Sequence, residues 1–340
     1  MSKESSITST EELAREFIQA IEDDRDIVWR PSPSGQAIDL LLDGQSRHFE
    51  IQFKLRPSIA DLEELCSARN HENLLLVTVD LTPRILDYCR QKGLSATDLN
   101  GRLYLRAKNL LVDRQALPGR RFRYEHEPRN IFVGKSVRII RSLLHDWDRT
   151  WIQSELVERT GASPALVSRI VRHLAREGLL KKEGRRFRVQ GPDLLRAWVD
   201  ADRLERRVRL ERFSVLSGDP MELARALKDV AEFEGTKICF TQWIAGWIRH
   251  PYTEPVVVSA YVSRSLPEAI LENLGLRQVK EAGNVWIFLP NDEGVFLETQ
   301  TVDDLPLVTD AQIYLDLQKT GLRGPDQAEA LRNWEGFCRP

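Results

Sequence analysis

A chain of 340 residues is longer than one hydrophobic core ordinarily serves, so two or three domains are expected. Its 49 lysines and arginines against 51 acids leave a net charge of -2, which excludes a polycation and makes any affinity for nucleic acid a matter of one local patch. The four cysteines (Cys66, Cys89, Cys239, Cys338) have no zinc or disulfide spacing, and a polar N-terminus with no long apolar run anywhere predicts a soluble, unexported, cytoplasmic protein with no membrane partner.

TEELAREFIQAIED, residues 10–23, sets Leu13, Phe17, Ile18 and Ile21 on one helical face behind a Ser/Thr cap. The extended segments DIVWRP, AIDLLLDG and RHFEIQFK follow, the last two joined by a turn sequence into an antiparallel hairpin. Pro57 stops the third strand, and SIADLEELCSARN reads as a helix. LLLVTVD, residues 74–80, has the continuous apolar character of a strand buried on both faces. TPRILDYCRQKG is a capped helix ending at Gly93, and ATDLNGRLYLRA holds a turn at Asn100-Gly101 before a last strand. Asp98 to Arg102 reads as that turn with an Asx cap. Residues 1–115 are therefore expected to form one α/β domain.

Residues 116–134 hold prolines, glycines and many charges with little periodicity, including Arg120, Arg121 and Arg123, and read as a linker. From Lys135 the period is helical. KSVRIIRSLLHD repeats apolar residues at Val137, Ile140, Leu143 and Leu144, TWIQSELVERTG is a second helix, and Gly161-Ala162-Ser163 turns into a third. With Ser163 as N-cap and Pro164 at the first helical position, this third helix divides cleanly. Leu166, Val167, Ile170, Val171 and Leu174 fall on one side, and Ala165, Ser168, Arg169, Arg172 and Arg176 on the other. Gly178 ends the helix, and LLKKEGRRFRVQ reads as two short strands around Glu183-Gly184.

Helix, helix, helix, hairpin is the pattern of a winged helix-turn-helix over residues 135–191. Between 163 and 190, Arg169, Arg172, Arg176, Lys181, Lys182, Arg185, Arg186 and Arg188 stand against Glu177 and Glu183, a net of +6, so the rest of the chain carries -8. That concentration is the footprint of a phosphate-binding surface. Small Ser163, Ala165 and Ser168 would let the third helix approach base edges, Arg169, Arg172 and Arg176 would reach guanines or phosphates, and the hairpin cations would follow the backbone. Double-stranded DNA is the expected partner. One such module reads only a short site, so a homodimer on a two-fold related site is expected.

Residues 192–340 read as a C-terminal mixed α/β domain for dimerisation or sensing, with strand candidates EPVVVSAYV, NVWIFLP and GVFLETQTV and a closing helix in LVTDAQIYLDLQ. Trp243 and Trp247, at helical spacing, read as core. The whole chain is thus an α+β multidomain protein.

In the N-terminal domain, Asp39 followed by Glu50, Gln52 and Lys54 is the spacing by which a nuclease gathers carboxylates around Mg2+ and aims a lysine at a phosphate. With helix, three strands, helix, strand, the domain resembles the restriction-endonuclease-like, PD-(D/E)xK, fold. Gln52 stands where that motif has its lysine, so the domain is expected to be non-catalytic and no cofactor is expected. Mg2+ would enter only in the alternative reading, a metal-dependent DNA nuclease targeted by the winged helix.

Taken together, LLLVTVDLTPRILDYCRQKGLSATDLNGRLYL, the winged-helix segment, GPDLLRAWVDADR, GNVWIFLPND and LVTDAQIYLDLQKTGLRGPDQAEALR make the chain similar to transcriptional regulators of the AbiEi antitoxin type. The resemblance implies a sequence-specific repressor of a toxin-antitoxin operon, with a functional link to a nucleotidyltransferase-like toxin.

Overall fold

Residues 28–114 build one seven-stranded sheet. The computed structural model describes residues 4–22, 24, 27–33, 35–42, 45–67, 71–117, 121–124, 130–216, 218–321 and 323–339, with the backbone alone for 4–6, 42, 45, 121, 123 and 124. Two compact units divide the chain, Met1–Arg129 with Arg176–Gly178, and Asn130–Ala175 with Leu179–Pro340.

In the first unit the order is β1 (Glu4–Ile7), α1 (Thr10–Glu22), β2 (Val28–Pro31), β3 (Ala37–Leu42), β4 (Gln45–Phe53), α2 (Ile59–Ser67), β5 (Leu74–Thr78), α3 (Pro83–Lys92), β6 (Ser95–Asp98), β7 (Leu103–Ala107), β8 (Leu110–Arg114) and β9 (Arg121–Tyr124). The sheet runs β2-β3-β4-β5-β6-β7-β8, with β4, β5 and β6 parallel and the other pairs antiparallel. Side chains alternate across it. Leu75 and Val77 join the cluster of Leu13, Phe17 and Ile21 from α1, while Leu76 meets Ile59 and Leu62 from α2 and Ile85, Leu86 and Cys89 from α3. This is why residues 74–80 read as continuously apolar.

Local chemistry sets the ends. Thr82 Oγ1 accepts from the Ile85 amide ahead of Pro83, and Gly93 closes α3 with a φ of +69°. Asp98 Oδ1 accepts from the Arg102 amide and Oδ2 from the Leu81 amide, each at 2.9 Å. Burial nonetheless pushes the Asp98 carboxyl up to about 6, against the lowering by those two amides. A carboxyl whose pKa rises on folding stabilises the fold below its unfolded value near 4, and that contribution is lost as pH rises through about 6. In urea unfolding from pH 4 to 7, wild type is expected to lose roughly 2–3 kcal/mol relative to Asp98→Asn, which cannot ionise. Parallel pH profiles would refute the assignment.

Three strands, β1, β8 and β9, lie beyond the sequence reading of this unit. β8 extends the sheet, and β9 pairs in parallel with β1 inside the stretch expected to be a linker. The Asn100 side chain explains it, because Oδ1 accepts from the Phe122 amide at 2.8 Å and Nδ2 donates back to the Phe122 carbonyl at 3.3 Å. An amide side chain thus docks a charged strand whose sequence has no periodicity. Arg120 lies outside the described residues.

The second unit contains α4 (Ser136–His145), α5 (Gln153–Thr160), α6 (Pro164–Arg176), β10 (Leu180–Glu183), β11 (Arg186–Val189), α7 (Gly191–Ala201), α8 (Leu204–Arg207), β12 (Val208–Ser214), α9 (Pro220–Phe233), β13 (Ile238–Thr241), α10 (Gln242–Arg249), β14 (Val258–Val262), α11 (Glu268–Asn273), β15 (Arg277–Val279), β16 (Val285–Pro290), β17 (Gln300–Val302), β18 (Leu305–Leu307), α12 (Asp310–Gln318) and α13 (Gly324–Asn333). Its sheet runs β15-β12-β16-β14-β13-β18-β17. Central strands β13 and β14 are buried throughout, with α9, α10 and α12 packed on them.

The sequence suggests a domain boundary at 191/192, yet one hydrophobic cluster runs from Ile139, Leu143, Trp151 and Val171 through Trp198 to Phe240, Val258 and Leu315. Polar contacts cross the same line. Arg138 forms a two-pronged pair with Asp292 at 2.8 Å, Arg141 donates to Gln312 at 2.9 Å, and Ser142 and Arg159 both donate to Glu298. Of the strand candidate GVFLETQTV only the end is a strand: Glu293–Phe296 is a 3-10 turn, and Glu298 has a φ of +59° that no strand accommodates. Trp243 is buried against Trp286, as its spacing predicts. Among the described residues no helix is long and apolar enough to cross a membrane.

Candidate nucleic-acid interface

Gly161 takes a φ of +63° and closes α5 by donating its amide to the Val157 carbonyl, and buried Ala162 tucks the connection inward. Ser163 Oγ then accepts from the Leu166 amide at 3.3 Å, starting α6. The helix sorts its residues by chemistry: Val167, Ile170, Val171 and Leu174 are buried, whereas Ser163, Ala165, Arg169, Arg172 and Arg176 are exposed and Ser168 is half-buried. Thirteen residues make a rod of about 20 Å, long enough to cross a major groove about 12 Å wide.

Beyond α6, β10 and β11 form a two-residue hairpin in which Gly184, with a φ of +63°, takes the first central position as a type II′ turn requires. Leu180, Phe187 and Val189 are buried, and Lys181, Lys182, Arg185, Arg186 and Arg188 are exposed. The register places Lys181 directly opposite Arg188 on the outer face. Like charges so placed repel, a penalty that a bound anion would relieve. Among the described residues, Arg169, Arg172, Lys181, Lys182, Arg185 and Arg186 have no carboxylate partner at salt-bridge distance. Arg188 touches only the Thr150 hydroxyl, at 3.5 Å.

Charge counting alone misses the rest of this surface. Trp151 adds a third, one-residue strand by exchanging backbone hydrogen bonds with Phe187 at 2.8 and 3.0 Å, and the Arg149 guanidinium covers its ring at 4.4 Å. The bridge brings the start of α5 beside the hairpin, so Gln153 and Ser154 line a groove of about 450 Å³ with Lys182, Arg185 and Arg186. On the other side Thr150, Lys181, Arg188, Gln190 and Arg339 line a second, of about 540 Å³. Neutral Gln153 and Ser154 carry no signal in a charge count.

The quartet Asp39, Glu50, Gln52 and Lys54 of the first unit is assembled differently. Register sets Asp39 opposite His48 and Glu50 opposite Ala37, so both acids share one face of the β3–β4 pair. The Asp39 carboxylate is turned to His48 Nδ1 at 2.8 Å, and Glu50 is exposed. Gln52 follows on the same face. Lys54, past the strand's end, reaches Asp61 at 3.2 Å; burial raises the Asp61 pKa, but Ser58 and Lys54 outweigh it and hold the carboxyl below its ordinary range. Among the described residues no group of three or more His, Cys, Asp or Glu side chains is placed to hold a metal. In comparisons with known proteins, no family model, no curated protein and no solved structure matches the chain.

Proposed function

We propose that residues 135–191 form a winged helix-turn-helix that binds double-stranded DNA, with α6 in the major groove and the β10–β11 hairpin along the phosphates, and that the chain is a transcriptional regulator of the AbiEi antitoxin type. The observation that carries the reading is the run of exposed cations, without carboxylate partners among the described residues, that continues from α6 onto the hairpin and includes the opposed Lys181 and Arg188, in a chain of net negative charge. The protein then acts as a homodimer on a two-fold related operator and represses a toxin-antitoxin operon containing a nucleotidyltransferase-like toxin.

The order α1, β2, β3, β4, α2, β5, with β5 parallel to β4, supports a restriction-endonuclease-like reading of the first unit. Its engagement of Lys54 by Asp61 supports a non-catalytic role.

Fluorescence anisotropy with a duplex from the region upstream of the gene tests the reading. Binding should exceed that to a scrambled duplex and fall steeply with salt, as counterion release by several phosphate contacts requires. Equal, salt-independent affinity for both duplexes would remove it. Plasmid incubated with the protein and magnesium is expected to stay intact; cleavage abolished by Glu50→Ala would install the nuclease reading instead.

A further inference from the structure

A cavity of about 230 Å³ lies in the second unit between α4, α7, α8 and the end of β16. Its walls combine apolar Phe132, Val137, Trp198, Val208 and Val295 with an unusual share of cations, Lys135, Arg141, Arg203, Arg206 and Arg207. Among the described residues only two carboxylates, Asp202 and Asp292, line it, and both are already engaged. Asp202 pairs with Arg207 at 2.8 Å and Asp292 with Arg138 at 2.8 Å. Among the described residues, positive charge in this cavity therefore exceeds what is neutralised there.

Among the described residues, two buried donors on side chains that line the cavity are left over. Arg141 is 6% exposed; its Nε and Nη2 both donate to Gln312 Oε1, at 3.2 and 2.9 Å, and its Nη1 has no hydrogen-bond partner. Trp198 is 1% exposed and its Nε1 is likewise without one. The two side chains adjoin, the guanidinium carbon lying 5.8 Å from the indole centroid. Leaving a buried donor unsatisfied is costly, more so for a charged one, and such groups cluster where a ligand completes the set. Burial draws the Arg141 pKa down to about 10, and neighbouring Arg207 adds to that lowering, so the site favours an anion.

We infer that this cavity is a binding site for a small organic anion, its carboxylate or phosphate accepting from Arg141 Nη1 and Trp198 Nε1 and its apolar body lying against Val137, Val208 and Val295. The exposed cations Lys135 and Arg206 draw the ligand in from the rim. This inference stands independently of DNA binding, because every group it uses belongs to the cavity.

Isothermal titration of the full chain with phenyl phosphate and with phenylacetate, each against its uncharged counterpart, phenol and phenylacetamide, tests the site. At least one anion is expected to bind at least about tenfold more tightly than its neutral counterpart, a difference of about 1.4 kcal/mol. Preference for phenyl phosphate would assign a phosphate ester, and preference for phenylacetate a carboxylate. Arg141→Gln should abolish the preference. Because that residue is buried, the exposed pair Lys135→Ala with Arg206→Ala provides a second variant, expected to keep the unfolding midpoint while weakening the anion several-fold. Equal affinity for charged and neutral probes, no binding of either anion, or unchanged anion binding in both variants would overturn the inference.

Discussion

Replacing Arg169 and Arg172 together with alanine is expected to weaken binding to the specific duplex by at least about 30-fold, since each base-edge contact is worth roughly 1–3 kcal/mol. Both side chains are exposed and neither has a carboxylate partner among the described residues, so the fold does not depend on them. The unfolding midpoint should stay where it is. The salt dependence separates their roles: if they reach phosphates, the slope of log affinity on log salt falls by about 0.9 per contact, whereas base contacts lower discrimination between duplexes at a nearly constant slope. An unchanged affinity, slope and specificity, with the protein folded, would exclude α6 as the reading helix.

A second large effect concerns stability. Asp316 on α12 is 2% exposed and accepts from Arg207, from the Tyr261 hydroxyl, from Thr241 Oγ1 at 2.6 Å and from Gln312 Nε2 at 2.8 Å. Burial pushes the Tyr261 hydroxyl well above its ordinary pKa, keeping it a neutral donor. Asp316→Ala would leave the buried Tyr261, Thr241 and Gln312 donors without their shared acceptor and half-buried Arg207 with Asp202 alone among the described carboxylates, and breaking such a buried ionic cluster costs about 3–5 kcal/mol. Urea unfolding followed by probes in each unit should show the transition of the second unit moving to lower denaturant with that of the first unchanged. Because Asp202 also pairs with Arg207 at 2.8 Å, adding Asp202→Asn and Arg207→Met to Asp316→Leu removes all three charges at once and is expected to restore part of the loss, since a buried ion cluster exchanged for neutral groups can be nearly neutral. A triple variant no more stable than Asp316→Ala would show that the loss does not come from the stranded charge.

This network marks the limit of what the sequence discloses. Helical and alternating periods locate α1, α3, α6 and the β3–β4 hairpin because each buries one face and exposes the other, so that hydropathy follows geometry. The cations of α6 and the hairpin are legible for the same reason: a surface of one sign stands out from a chain of mixed charge. α12 is read as a helix too, but the burial of its polar residues gives no comparable signal. It is buried on every side, yet its DAQIYLDLQ contains two aspartates and two glutamines, residues that read as solvent-facing until Arg249, Arg207 and Arg141 are seen opposite Asp310, Asp316 and Gln312. Partners 61, 109 and 171 residues away leave no local pattern. The cavity beside Arg141 is hidden from the sequence on the same grounds, and so is the docking of β9 by Asn100.

The pairs joining Arg138 to Asp292 and Arg159 to Glu298 bear on how this protein could have been assembled or could be taken apart. Many small helical modules travel between proteins as cassettes, because their own helices close their core. Here α4 turns Ile139 and Leu143 into a cluster shared with the C-terminal sheet, and its arginines find their acceptors more than a hundred residues downstream. Cut out as residues 135–191, the module would bare that face and strand those charges. It is a component that cannot be transplanted without the scaffold that finishes it, and an engineered fusion would have to carry the chain through to its last helix.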